Sequence, residues 1–341
     1  MNFFQRRPPT LNLALQGGGA HGAFTWGVLD ALLADGRVRF EGVSGTSAGA
    51  MNAVVLAQGL MAGGPDGARA ALDTFWTTVA SSAPFEVAVP AADGKNMLLS
   101  PPLKLLLQWS HYFSPEQLNP FDLNPLRKII TAQIDFDRLR RDSPVQLFIA
   151  ATHANSGKLR LFRNAELSAD AILASACLPT MHRSVVIDGE PYWDGGYSAN
   201  PAVFPLFEEC EARDIMLVML APLVHKTTPT SAKDIRNRMM ELAFNATFLR
   251  EMRMFAELQA RVRPGWLKLG AFERRLSQTH FHTIEASEWM GELSTESKLA
   301  ANMQFFGLLK TLGQARAQAW LAQHCDDIGK RSSVDLEALF N

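Results

Sequence analysis

The sequence predicts an α/β fold with a mainly parallel central sheet. Two short apolar strands, "LNLALQ" and "FEGVSG", each pass through a glycine-containing turn into a helix-forming stretch, the rhythm of a parallel sheet with helical crossovers. The later run "IMLVML" is apolar without alternation, which marks a strand covered on both faces. Strands and helices alternate along most of the chain, with no internal repeat and no low-complexity linker.

Taken in order, residues 22–33 predict a helix with Phe24, Val28, Leu29 and Leu32 on one apolar face. "SAGAMNAVVLAQGL" is apolar nearly all round, so its helix is expected to be buried. Residues 81–125 break the rhythm. Their prolines and large apolar side chains predict an insertion carrying one short helix and no sheet element. "VQLFIAATHANSGKLRLF" predicts two strands about a turn at Asn155-Ser156-Gly157. "SADAILASACL" predicts a helix capped by Ser168, and "SVVIDGEPYWDGG" a hairpin turning at Asp188-Gly189. Residues 231–262 predict a long amphipathic helix, "FHTI" a late strand, and residues 295–323 a final helix. The expected organisation is an α/β core over residues 8–225, with the insertion inside it, and a mostly helical extension over 226–341 packed on that core.

The 341 residues are 47% hydrophobic and 20% charged, enough for one large domain or two small ones. The net charge of −1 lacks the electrostatic signature of a nucleic-acid binder. Cys177, Cys210 and Cys325 are odd in number and far apart. They suggest neither a disulfide framework nor a zinc site, and fit a reducing compartment. The start "MNFFQRRPPT" lacks the apolar core of a secretory signal, and no run approaches 18 apolar residues. The expectation is a cytoplasmic protein, with peripheral contact at a membrane as its one route to a bilayer.

Gly17, Gly19 and Gly22 satisfy G-x-G-x-x-G after the first strand. A dinucleotide site would also need an acidic residue at the end of the second strand. Glu41 has the right separation but opens that strand, which closes instead with Gly45-Thr46-Ser47-Ala48-Gly49. This G-x-S-x-G sits between a strand and an apolar helix, the setting of a serine nucleophile on a strained turn. Gly45 and Gly49 keep the turn free of clashes, and the following helix aims its positive end at whatever Ser47 attacks. The glycine loop then gains a role: N–H groups near Gly18, Gly19 and Ala20 can converge beside Ser47 and hold an oxyanion, helped by Ala48. Asp194 in "WDGGYSANP" is the candidate base. A carboxylate becomes an effective base for a serine when it is desolvated and in hydrogen-bond contact with it.

Three motifs in this order resemble the patatin-like phospholipases: Gly17-Gly18-Gly19-Ala20-His21-Gly22, Gly45 to Gly49, and Asp194-Gly195-Gly196. "AATHANSGKLRLF" and "ASACLPTMHRSVVIDGEPYWDGG" are similar to the family's connecting segments, so the resemblance spans about residues 11–225. It implies a three-layer α/β/α fold and a Ser-Asp dyad without histidine. Ser47 is then the nucleophile, Asp194 the base, and Gly17, Gly18 and Gly19 the oxyanion loop. It also implies hydrolysis of acyl esters of phospholipids and other lipids through an acyl-enzyme, with no metal and no cofactor. His21 departs from the family, many of whose members carry arginine or lysine there, and reads as a loop residue packed near the helix.

The remaining candidates are weaker. His153 follows a strand, and His280 and His282 alternate on the late one, with no further ligands at metal spacing. Residues 97–113 are strongly apolar and read either as core or as a lid and lipid-access wall, with Leu106 and Trp109 its leading residues and Lys104 near an interface. Residues 226–275 hold 11 Lys/Arg against 5 Asp/Glu, 11 − 5 = +6, which suits a solvated face or an anionic lipid surface. Two other classes stay open at this stage: a membrane-binding or regulatory module with an idle dyad, and an acyltransferase using the same site. Oligomeric state has no signature in the sequence.

Overall fold

Leu11, Leu13 and Leu15 join one apolar cluster and Ala14 another on the opposite side, the two-residue period of a strand buried on both faces. The computed structural model describes residues 8–82, 88–91, 95–109, 112–225, 227–262 and 270–341, without the side chains of 90 and 106–108. In chain order its strands are β1 (Thr10–Leu15), β2 (Arg39–Gly45), β3 (Ala88–Pro90), β4 (Met97–Leu99), β5 (Gln146–His153), β6 (Leu159–Arg163), β7 (Val185–Ile187), β8 (Glu190–Asp194), β9 (Asp214–Val218) and β10 (His280–Ile284). The helices are α1 (Gly22–Asp35), α2 (Ala48–Ser81), α3 (Pro101–Trp109), α4 (Pro115–Leu118), α5 (Pro125–Gln133), α6 (Phe136–Asp142), α7 (Ala169–Ser175), α8 (Phe204–Glu209), α9 (Ala232–Arg261), α10 (Ala271–Ser277), α11 (Ser287–Met290), α12 (Met303–His324) and α13 (Leu336–Phe340).

The main sheet runs β10-β9-β1-β2-β5-β8-β7, with β6 also paired to β5. From β10 to β5 all neighbours are parallel; β6 and β8 run antiparallel to β5, and β7 to β8. The apolar side chains of α1, α2, α7 and α12 cover one face, and those of α8, α9, α10 and α13 the other. This is the expected three-layer α/β/α arrangement. "IMLVML" supplies β9, buried throughout between β10 and β1. The turn at 155–157, the Ser168 cap, whose side chain accepts from Ala171 N–H, and the hairpin at Asp188-Gly189 are all present.

The structure differs from the sequence reading in several places. Residues 22–33 of α1 are buried on every side, not along one stripe, because α12 covers the face turned away from the sheet. Residues 81–125 carry a sheet element after all: β3 and β4 pair antiparallel, and two short helices, α3 and α4, follow. The buried α2 continues to Ser81 through non-helical backbone at Gly63 and Gly64, and Pro65 opens its second half. The final helix is split. A 3₁₀ turn over Thr295–Leu299 precedes α12, which restarts at Asn302, whose side chain accepts from Phe305 N–H at 3.1 Å. The late strand expected at "FHTI" is present as β10, the edge strand of the main sheet.

α1 and α12 touch main chain to main chain. A Cβ at Gly27 would lie 2.0 Å from Lys310 O, and one at Gly313 2.1 Å from Phe24 O. Gly313→Val should therefore push the helices apart and cost about 1–3 kcal/mol, read as a lower thermal midpoint. Gly307, on the same helix with nothing within 4 Å of its Cβ position, is the control: Gly307→Ala should hold or raise the midpoint. Equal midpoints for the two variants would show that the contact is looser than these distances.

Candidate active site

β1 and β2 both end at the carboxyl edge of the parallel sheet, where ligands of such sheets sit. β1 passes through Gln16 to Gly18 into a 3₁₀ turn over Gly19–His21, and β2 passes through Thr46 and Ser47 into α2. Ser47 has φ 54° and ψ −119°, a region that a side-chain-bearing residue occupies only when its surroundings hold it there. They do so by close packing. A Cβ at Gly45 would lie 2.5 Å from Gly49 O, and one at Gly49 2.1 Å from Leu15 O. Ser47 N–H donates to Ser175 Oγ at 3.0 Å, and Thr46 Oγ1 to Ala199 O at 2.8 Å. Ser47 is half-buried, at the first turn of α2.

The glycine loop lies directly against this turn. A Cβ at Gly17 would be 2.7 Å from Thr46 O and 2.9 Å from Ser47 Cβ, so only glycine allows the approach. Gly17 corrects one expectation: its N–H already donates to Asn200 Oδ1 at 2.8 Å and is not free for a substrate. Among the described residues, the N–H groups of Gly18, Gly19, Ala20 and Ala48 have no hydrogen-bond partner. Behind the loop, Gln16 Oε1 accepts from Leu220 N–H at 2.6 Å and Ala221 N–H at 2.9 Å, and its Nε2 donates to Asn245 Oδ1 at 3.1 Å.

Asp194 arrives from the other side of the sheet's reversal. Ile149 of β5 lies opposite Gly45 of β2, and Ala151, two residues further on, lies opposite Asp194 of β8. β6 pairs with the other edge of β5 at both positions. So β8 takes over the edge of β5 where β2 leaves it, and the last residue of β8 stands beside the Ser47 turn. Asp194 N–H donates to Cys177 O at 2.7 Å, and its carbonyl accepts from Thr152 Oγ1 at 2.8 Å. Its carboxylate accepts from Gly196 N–H at 2.8 Å, and the Ser47 hydroxyl lies near enough to favour its charged form. The side chain is almost fully buried. Burial pushes its pKa up to about 7, against the smaller opposing pull of those two donors.

Among the described residues no histidine hydrogen-bonds to Ser47 or Asp194. His21 is buried as expected, with Nε2 2.7 Å from Ser297 Oγ; burial, and then the charge of Lys298, push its pKa down to about 3. His153 contacts Ser156 Oγ and Glu190 Oε2, and His282 contacts Asp214 Oδ1 and Ser333 Oγ. In the apolar segment, Met97 and Leu99 are core, while Leu98, Leu105, Trp109, Tyr112 and Phe113 are exposed. The side chain of Leu106 lies outside the described residues, as do Lys226 and 263–269 of the basic stretch. Much of the remaining positive charge is paired: Lys233 with Glu296, Arg238 with Glu241, and Arg253 with Glu257. Sequence reading missed Ser175, Asn200 and Gln16, because their partners lie more than a hundred residues away.

The family model for patatin-like phospholipases matches residues 13–207, more than half of the chain. A search of curated proteins found no match. Among solved structures the chain resembles VipD from Legionella pneumophila, with 16% identity, 91% of this chain and 67% of that chain covered, and a TM-score of 0.37. No helix among the described residues is long and apolar enough to cross a membrane.

The buried carboxylate has a consequence for stability. Its pKa stands near 7 in the folded chain against an ordinary 3.8, so the folded state holds the proton more tightly. The contribution of Asp194 is then most favourable below about pH 4 and is lost as pH rises toward 7, at up to ~1.4 kcal/mol per unit. Asp194→Asn has no such loss. Its thermal midpoint should rise relative to wild type between pH 4 and pH 8, and a constant difference across that range would rule out the buried, neutral-leaning carboxyl.

Proposed function

The chain belongs to the patatin-like phospholipase family, and from that premise we propose that it is a serine lipid acyl hydrolase working through a Ser47–Asp194 dyad. Members of that family are lipid acyl hydrolases. The observation that supports the dyad is a buried carboxylate, brought beside the Ser47 turn by the register of β2, β5 and β8, whose pKa is close to neutral. A base of ordinary carboxylate pKa would take a serine proton poorly, and one matched to the working pH takes it well.

The chemistry follows from the parts. Asp194 accepts the Ser47 proton as the oxygen attacks the ester carbonyl. The developing oxyanion is held by N–H groups of Gly18, Gly19 and Ala20 in the glycine loop and of Ala48 at the start of α2, where each donor is worth roughly 10²–10³ in rate. Gly17 contributes close approach, not a donor. The alcohol leaves with the proton from Asp194, which forms the acyl-enzyme. Asp194 then takes a proton from water, hydroxide attacks the acyl carbon, and the proton returns to Ser47 as the fatty acid leaves. No step needs a cofactor or metal. The enzyme works in the cytoplasm and meets a membrane peripherally, its exposed Leu98, Leu105, Trp109, Tyr112 and Phe113 forming the access wall for lipid.

Ser47→Ala should abolish turnover of a p-nitrophenyl acyl ester in a folded protein, and a fluorophosphonate probe should label Ser47 and no other serine. Asp194→Asn should slow acylation by about 10² or more. The wild-type rate should rise with pH through an acid limb near 7, because the base must be ionised. Labelling of another serine, or equal inactivation by His153→Ala or His182→Ala, would replace the dyad.

The access wall has its own test. Trp109→Ala combined with Leu106→Ala should weaken activity on long-chain vesicles much more than on a soluble short-chain ester. Co-sedimentation with anionic vesicles should fall with salt only modestly, since most cations of the basic helix are paired. Equal losses on the two substrates would make the segment merely structural.

A further inference from the structure

A cavity of about 560 Å³ adjoins the glycine loop, and neither Ser47 nor Asp194 lines it. Its walls meet the loop at other residues than the serine does. The Cβ position of Gly17 lies 2.9 Å from Ser47 Cβ, whereas that of Gly18 lies 3.0 Å from Leu220 Cδ1 and that of Gly19 lies 2.3 Å from Lys298 O. Leu220 and Lys298 both line the cavity. Lys298 belongs to the 3₁₀ turn over Thr295–Leu299, which the Ser297 Oγ contact with His21 ties to the loop. The cavity is therefore a compartment separate from the dyad, in contact with the loop beside it.

Two chemistries share these walls. Met97 and Leu98 of β4, Leu220, and Met290 and Leu293 at the end of α11 are apolar. The charged groups are unequally satisfied. Glu241 is shared by Arg238 at 3.2 Å and His225 at 2.9 Å. Glu296 pairs with Lys233. Asp234 accepts from Ser231 Oγ at 2.6 Å and sits in the first turn of α9, whose positive end offsets it. Lys298 has no hydrogen bond or ion pair among the described residues. Its charge acts on His21 and is opposed by Glu241, two groups that also line the cavity, so the ammonium stands among the cavity's own walls. Burial lowers its pKa. A cation drawn out of water without its own carboxylate costs stability, and a ligand that brings the carboxylate removes that cost.

We propose that this cavity is an effector site for a fatty-acid anion, with the carboxylate on Lys298 and the chain along the apolar walls. The cavity is of the size of small-ligand sites. One surplus cation among Asp234, Glu241 and Glu296 accepts one negative charge, and a second would face like charges at close range. That favours a monocarboxylate over a phosphate. The apolar walls favour a ligand with a hydrocarbon chain over a short acid. An occupant would pin the 3₁₀ turn that abuts Gly19, and so hold the glycine loop from behind. Binding stands independently of the dyad; the hydrolase reading adds only a source for the ligand, since a fatty acid is what that reaction releases.

The test uses soluble probes and localises them. Wild type and Ser47→Ala are titrated calorimetrically at pH 8 with octanoate, 1-octanol, acetate and octyl phosphate, all below micelle formation. Octanoate should bind about tenfold or more tightly than octanol, which lacks the charge, and than acetate, which lacks the chain. Octyl phosphate should bind more weakly than octanoate. Lys298→Met should cost octanoate about tenfold and leave octanol unchanged, and Lys298→Arg should keep most of the affinity. If Lys298→Met fails to fold, Lys298→Gln takes its place. With octanoate bound, backbone hydrogen exchange should slow over residues 290–298 and 17–22, with or without Ser47, and this protection should vanish with the Lys298 charge. Absence of octanoate binding overturns the proposal, as does binding that survives loss of that charge; protection confined to residues 17–22 and 47–49 would place the acid on the oxyanion donors instead. Tighter binding of octyl phosphate overturns the carboxylate, and equal binding of acetate overturns the chain. Turnover of p-nitrophenyl butyrate by wild type tests the hydrolase reading separately: its absence, with Lys298-dependent octanoate binding intact, removes the activity and leaves the effector site standing.

Discussion

The site depends on one constraint, the approach of three pieces of main chain around Ser47. The end of β1, the turn after β2 and the first turn of α2 are packed so closely that side chains at Gly17, Gly45 and Gly49 would collide with backbone oxygens. That packing over-determines the turn, which is how a serine at φ 54° persists. Strain of this kind costs about 1–3 kcal/mol. It is offset by the full burial of the first turns of α2 and by the Ser175 and Ala199 hydrogen bonds that hold the turn from outside. Loosening any one strand of this knot frees the serine to relax toward ordinary backbone geometry.

The second requirement of the proposed dyad, a carboxylate beside the serine, is met by sheet topology. β2 and β8 share one edge of β5 in succession, so a residue nearly 150 positions downstream is delivered to the end of β2 without a long loop. The same placement takes Asp194 out of water. Burial makes the carboxyl less stable when charged and more useful as a base. The hydrogen bond from Gly196 and the nearby Ser47 hydroxyl limit that penalty without cancelling it, leaving the pKa near 7. In the proposed dyad, reactivity and local instability would have one cause.

How much of this was legible in the sequence follows from the range over which each feature acts. The strands show in apolar runs, the turns in Gly, Asn and Asp, and the two motif loops in the spacing of small residues, because those demands are local. The insertion hid a two-stranded hairpin, since strands of three residues carry too short a pattern to read. The basic stretch read as a positive surface, yet Glu296 pairs with one of its lysines from far along the chain. Gly17 read as a donor, because nothing near it in sequence announces Asn200. Ser175 and Gln16 were silent for the same reason: a serine in a helix and a glutamine after a strand carry no pattern until the fold supplies their partners.

The long-range partners also divide the labour within the chain. Ser47 and Asp194 both lie within the region matched to the family, residues 13–207, but much of what holds their surroundings lies beyond it. Leu220, Ala221 and Asn245 satisfy the amide of Gln16 beneath the glycine loop. Phe244 closes over Gly196, next to the Asp194 carboxylate, and Ser297 and Lys298 brace the loop at His21 and Gly19. A buried amide or imidazole stripped of such partners loses more than one hydrogen bond is worth, because its desolvation is then uncompensated. The segments after residue 207 therefore help keep the glycine loop in place, and in the proposed mechanism that loop is what brings the donors to the serine.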